Sequence, residues 1–104
     1  MNTLASHLIN QRVIIRASDS GVHHGTLIAV EGTAVRLANS RRLWEWSTGG
    51  TGISLSEVAI CGIDPKASMV TMVLPDLIVS GVCEIIPTHG MCDATIDGAG
   101  VHVP

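Results

Sequence analysis

Turn-forming clusters cut this chain into short β-branched runs, and that punctuation limits its fold more than any other feature. Arg12-Val-Ile-Ile-Arg-Ala17 is strand-like, and Ser18-Asp-Ser-Gly21 turns the chain after it. Val22 to Val30 reads as a second strand, with Gly25 a bulge or close-approach point. Glu31-Gly-Thr33 is a hairpin loop, and Ala34 to Leu37 a third strand. Asn39-Ser40 kinks the chain before a fourth strand, Arg41 to Trp46. Ser68 to Leu74 and Ile78 to Pro87 add two more, interrupted by Pro75-Asp76 and by Gly81.

Little is left for helices. Residues 1–11 form an N-terminal arm or short helix, with Leu4, Leu8 and Ile9 on its apolar side. Ser54-Leu-Ser-Glu57 fits a capping box, so a helix over Leu55–Cys61 is predicted, ending at Gly62. Thr88 to Ile96 reads as a short terminal helix or an irregular segment, and residues 97–104 as a flexible tail. The predicted fold is one α+β domain over residues 1–104, mainly β. It is a small curled antiparallel sheet or partial barrel with one or two short helices.

The aromatic content is confined to one place. The chain has no Phe and no Tyr, and its two Trp lie in Arg41-Arg-Leu-Trp-Glu-Trp46. Alternate residues of a strand share a face, so Arg42, Trp44 and Trp46 are expected to point the same way. Two indoles beside a guanidinium make a flat cationic surface suited to a base, a ribose-phosphate or another planar anion. The plain alternative is a structural strand whose indoles fill the core.

The loop that follows adds to this surface. Gly49, Gly50 and Gly52 let the backbone turn its N–H groups outward, and the helix start at Ser54 presents more of them. Together they make a candidate phosphate cradle. No Lys follows the glycines, so it is not a Walker loop, and a plain linker is the competing reading.

Charge narrows the ligand. Residues 1–42 carry five Arg against Asp19 and Glu31, a balance of +3. Residues 43–104 carry Lys66 against seven acids, a balance of −6. No basic run tracks a polynucleotide, so long nucleic acid is not an expected partner, whereas a few local Arg suit a small anion. With only 14% charged residues, much of the surface must be apolar, and a homo-oligomer is expected to cover it.

Chemistry beyond binding has little support. Cys61, Cys83 and Cys92 are odd in number and far apart, which reads as reduced thiols acting as small hydrophobes. No signal peptide is apparent and no apolar run spans a membrane, so the expected location is the cytoplasm. His23 and His24 are adjacent and face opposite sides of a strand, so at most one reaches a given site. His89 and Cys92 are a poor metal signal without further ligands, and neither metal nor cofactor is expected. No nucleophile elbow and no placed carboxylate pair is present. Glu84 lies in an apolar strand and reads as an ion-pair partner, with Arg41 or Arg42 as candidates, or as a solvent-facing edge charge. The chain is not expected to be an enzyme.

Four motifs carry a resemblance. Ser20-Gly-Val-His-His-Gly25, Ala38-Asn-Ser-Arg-Arg-Leu-Trp-Glu-Trp46, Ser54-Leu-Ser-Glu-Val-Ala59 and Cys83-Glu-Ile-Ile-Pro87 occur in this order. The series resembles a family of short bacteriophage and prophage proteins classed as a domain of unknown function, over roughly Val13 to Ile96. This chain departs from the family in a longer Gly-rich loop after Trp46, and in His24, where an aromatic is commoner. The resemblance implies a phage source, hence the host cytoplasm, and no known enzyme activity. Small phage proteins of this kind include nucleotide-signal sponges, minor virion parts and host-takeover factors. The expected function is therefore non-catalytic sequestration of a small nucleotide-like ligand, an anti-defence role. Its site would be Arg41, Arg42, Trp44, Trp46, His23, Gly49, Gly50 and Ser54. The alternative is a structural or interaction protein: a minor virion component or a host-target binder.

Overall fold

The computed structural model describes residues 4–46 and 55–101. After a one-turn 3-10 helix at Ser6–Leu8 come strands β1 (Arg12–Ala17), β2 (Gly21–Glu31) and β3 (Ala34–Glu45). Helix α1 (Leu55–Cys61), β4 (Met69–Val70), β5 (Leu74–Val79), β6 (Val82–Pro87) and helix α2 (Gly90–Asp97) complete the order. All pairings are antiparallel, with β6, β1, β2 and β3 side by side. The outer edge of β3 takes β5 along Val35 to Ser40, then β4 along Leu43 to Glu45.

This topology forces the sheet to curl. β5 and β6 lie at opposite edges, four strand spacings or about 19 Å apart in a flat sheet. Only Ser80 and Gly81 join them, and three peptide steps reach at most about 11 Å. The edges therefore fold toward each other, and two hydrogen bonds pin the link: Val82 N to Thr33 O at 2.9 Å and Ser18 N to Gly81 O at 3.1 Å. The sheet is open and curled, in agreement with the sequence expectation.

Both faces are buried. Val13, Ile15, Leu27, Leu37 and Val79 form the core enclosed by the curl, where Val82 and Ile85 of β6 meet β5. Ile14, Val22 and Leu43 face outward and are covered by Val58 and Ala59 of α1 and Cys92 and Ile96 of α2. This explains why Val13-Ile14-Ile15 is continuously apolar: each member is 0% exposed, on alternating sides.

Several boundaries move. The predicted third and fourth strands are one, β3, whose kink is a bulge. His24 pairs with Arg41 and Thr26 with Ala38, so Gly25 faces both Asn39 and Ser40. Asn39 has φ +52°, and a Cβ on Gly25 would lie 3.0 Å from the Ser40 Cβ, so Gly25 is a true close approach. The predicted strand Ser68–Leu74 shrinks to Met69–Val70. Pro75-Asp76 lies within β5 rather than before it, which an edge strand tolerates. Residues 97–101 are not the flexible tail expected of them: Asp97 ends α2 and binds Arg12, and Ala99 is buried. Leu4, expected on an apolar side, is 98% exposed. Cys83 is exposed, unlike Cys92, so only some of the thiols are buried.

Candidate functional site

Two identical dipeptides meet across one strand pair. His23 of β2 lies opposite Arg42 of β3, and His24 opposite Arg41. Cross-strand partners share a face and neighbours alternate, so one His–Arg pair lands on each side of the sheet.

The His24–Arg41 side is closed by α2. His24 is fully buried, its Nε2 2.7 Å from Asp93 Oδ1 and its Nδ1 3.2 Å from Arg12 Nη2. Guanidinium groups only donate, so Nδ1 is the acceptor and Nε2–H donates to Asp93. The ring is neutral: burial lowers its pKa most, Arg12 adds to that, and the Asp93 bond opposes. Thr88 Oγ1 donates to the same carboxylate oxygen at 2.6 Å, and Arg12 also binds Asp97. Arg41 is 3% exposed and clamps the end of α2. Its Nη1 donates to the Ile96 and Ala99 carbonyls and its Nε to Thr71 O, each at 2.7 Å.

Ligand atoms of His24, Cys92 and Asp93 lie within 4.8 Å of one another, a spacing that fits a cation. The surroundings fit it poorly. A metal on Nε2 requires the ring proton on Nδ1, where Arg12 already donates, and the usual orienting acceptor is replaced by a cation. Burial, followed by Asp93 and Asp97, pushes the Cys92 thiol up to about 12. The arrangement works as a hydrogen-bonded latch between β2 and α2. His89 does not join Cys92: its ring caps α2 by accepting from Met91 N at 3.1 Å, and it is exposed.

The His23–Arg42 side borders a cavity of about 260 Å³. It arises where β4 and β5 part along the edge of β3. Between them Thr71 crosses the gap, its Oγ1 accepting from Arg42 N at 2.9 Å and its N donating to Arg42 O at 3.1 Å. His23, Ser40, Arg42 and Thr71 supply polar groups, and Met72, Leu74 and Leu77 an apolar wall. Arg42 is half-buried, and among the described residues nothing pairs with its guanidinium. Ser40 is 1% exposed, and among the described residues its Oγ has no hydrogen-bond partner. His23 is buried, its Nε2 3.4 Å from Ser20 Oγ. Burial lowers the His23 pKa most, the Arg42 charge lowers it further, and Ser20 opposes.

Of the residues expected at a site, His23 and Arg42 come together. Trp44 stands 66% exposed, two residues beyond Arg42 at the register shift between Leu43 and Glu45, and does not line the cavity. Trp46 does not join them, which corrects the expectation of a two-indole platform. The β3–β4 register shifts between Leu43 and Glu45, β3 ends there, and Trp46 packs on the helix-covered core. Arg41 is also turned away, to α2. Gly49, Gly50 and Ser54 lie outside the described residues. Glu84 pairs with Arg16 at 3.1 Å on the surface, not with Arg41 or Arg42. Sequence reasoning missed Ser40, Thr71, Met72, Leu74 and Leu77. The kink at Asn39-Ser40 was the one available signal, because a bulge re-aims the next side chain.

Fold and site define a small curled-sheet domain with a cation-bearing cavity on one edge and a helix latched to its outer face. Residues 10–96 match the family described as Domain of unknown function (DUF6948), and the chain belongs to it. No curated protein and no solved structure matches the chain.

Proposed function

We propose that this protein is a non-catalytic binder that sequesters a small nucleotide-like anion in the cavity of His23, Ser40 and Arg42, in a phage or prophage anti-defence setting. The observation that carries the reading is a guanidinium without a partner among the described residues, set beside a buried, unpaired hydroxyl. Buried polar groups are normally satisfied, so the orphan Ser40 hydroxyl beside a half-buried guanidinium supports a site where a ligand supplies acceptors. At about 260 Å³ the cavity is smaller than most drug-sized pockets, so it suits one end of a nucleotide. Trp44 lies about 7 Å further along the strand, where an exposed indole can stack a base. A nucleophile needs a base within hydrogen-bond reach, and among the described residues none bonds Ser40 Oγ, in keeping with binding without turnover. Among the described residues no helix is long and apolar enough to cross a membrane.

A second reading, a structural or interaction protein of a phage, draws on a different observation. Met72, Val73, Leu74 and Ile78 are all exposed along β5 and its approach, and β5 and β6 each have one strand partner. A second copy or a host protein would cover that edge, in keeping with the expected homo-oligomer. Tryptophan fluorescence during titration with nucleotides, cyclic nucleotides and ADP-ribose derivatives separates the two. Saturable quenching by one class, recovered intact after heat denaturation and lost in Arg42→Ala and Trp44→Ala, supports sequestration. Binding unchanged in both variants overturns it.

A further inference from the structure

We propose that the group seated in this cavity is a terminal phosphate dianion, and that it enters together with one proton taken up by His23. The inference rests on the sequestration reading and specifies its ligand.

Charge balance carries the argument. His23 and Arg42 are direct cross-strand partners, which places their Cβ atoms about 5 Å apart with both side chains at one cavity. Arg42 offers a fixed positive charge and a fork that matches two phosphate oxygens. Ser40 Oγ–H is an unused donor at the same wall. A phosphomonoester carries nearly two negative charges at neutral pH, because its second pKa is about 6. One guanidinium leaves such a group half-neutralised in a largely apolar cavity. A protonated His23 completes the match, and a phosphodiester, with one negative charge, needs no second cation.

The neighbours of His23 make the proton conditional on the ligand. From β3 it faces Arg42, from β1 the uncharged Ile15, and from the preceding turn Ser20. Thr71, Met72, Leu74 and Leu77 border the cavity and bring no charge. Among the described residues Arg42 is the one charged group acting on the ring. In the free protein that charge and burial keep the imidazole neutral. A dianion between the two reverses the sign of the local field, and the ring then takes a proton from solvent.

The test is calorimetric titration with AMP, 3′,5′-cyclic AMP and inorganic phosphate, in two non-phosphate buffers of different ionisation enthalpy. AMP is expected to bind with uptake approaching one proton, and about 5- to 10-fold more tightly at pH 6.5 than at 7.5. Cyclic AMP is expected to bind more weakly, with no proton uptake. His23→Gln should abolish the proton uptake on AMP and remove the tightening of AMP binding between pH 7.5 and 6.5. AMP bound without proton uptake, or cyclic AMP preferred, overturns this inference and leaves sequestration standing. No binding of any of the three overturns this inference, and no quenching by the ADP-ribose derivatives either overturns the sequestration reading with it. Should His23→Gln not fold, the proton count on the unaltered protein decides alone.

Discussion

Arg41 and Arg42 are neighbours of identical chemistry, and the structure assigns them opposite consequences. Replacing Arg41 by Met keeps most of the aliphatic stem and removes three short donations to carbonyls. Ile96 O keeps a bond from Ala99 N, so the loss falls mainly on Thr71 O and Ala99 O. An orphaned buried acceptor costs about 1–3 kcal/mol, and relief from burying a charge returns part of that. The net loss expected is about 3 kcal/mol, a large part of a typical domain's stability of about 5–15 kcal/mol. With a urea slope of about 1.5 kcal/mol/M, the midpoint should fall by about 2 M. Arg42→Met breaks no side-chain pair among the described residues, and should stay within about 0.5 kcal/mol of the unaltered protein. Urea denaturation followed by circular dichroism reads both. Equal midpoints for the two variants, or greater damage from Arg42→Met, would refute the division of roles between them.

Two further perturbations probe the scaffold. Gly62 ends α1 at φ +83°, where an added Cβ would meet Thr95 Oγ1 at 2.2 Å, an atom already bonded to Ile63 N and Cys92 O. Gly62→Ala should therefore cost about 3 kcal/mol, combining left-handed strain with displacement of Thr95. Gly32→Ala, at φ +57° in open space, should cost only about 1 kcal/mol, and equal losses would disprove the steric account. The latch predicts a pH dependence. His23 and His24 both have lowered pKa values in the fold, so the unfolded chain protonates first as pH falls. Stability is then full above the unfolded value of about 6.5 and declines below it, by up to about 1.4 kcal/mol per pH unit for each histidine. Urea midpoints measured from pH 7.5 to 5 test this: a flat profile refutes it, and His24→Gln should reduce the slope.

Much of the sheet was legible because its signals are local. Turn clusters bounded β1 and β2 within a residue or so, and Gly25 and Asn39-Ser40 marked the bulge through their backbone requirements. What failed depended on partners distant in sequence. Alternation alone placed Trp46 with Arg42, and the register shift that turns it away arises from pairing with β4. Residues 97–101 read as a tail because Asp97-Gly-Ala-Gly100 is turn-like. Nothing local announces that Arg12 and Arg41 reach across the fold to hold it. The apolar wall of Met72, Leu74 and Leu77 was hidden for the same reason: it is a wall only because β5 pairs with β3.

The two His–Arg pairs of β2 and β3 differ in what surrounds them. On the helix-covered side, His24 and Arg41 are buried, and each ends on carboxylates or carbonyls of α2 or the Thr71 segment. One pleat away, His23 and Arg42 share the same two strands and the same residue types. There the guanidinium and the neighbouring Ser40 hydroxyl have no acceptor among the described residues. The buried Ser40 hydroxyl costs free energy while it lacks a partner, and an acidic residue near the cavity would remove that cost and pair with Arg42. Every side chain contributed by the adjoining Thr71 to Leu77 segment to the cavity is instead uncharged. Asp76, the acid of that segment, points its carboxylate to Arg36, 2.8 Å away on the surface. An acceptor-free pair where a cavity opens, beside a satisfied pair where none does, is the pattern that the proposed anion site requires.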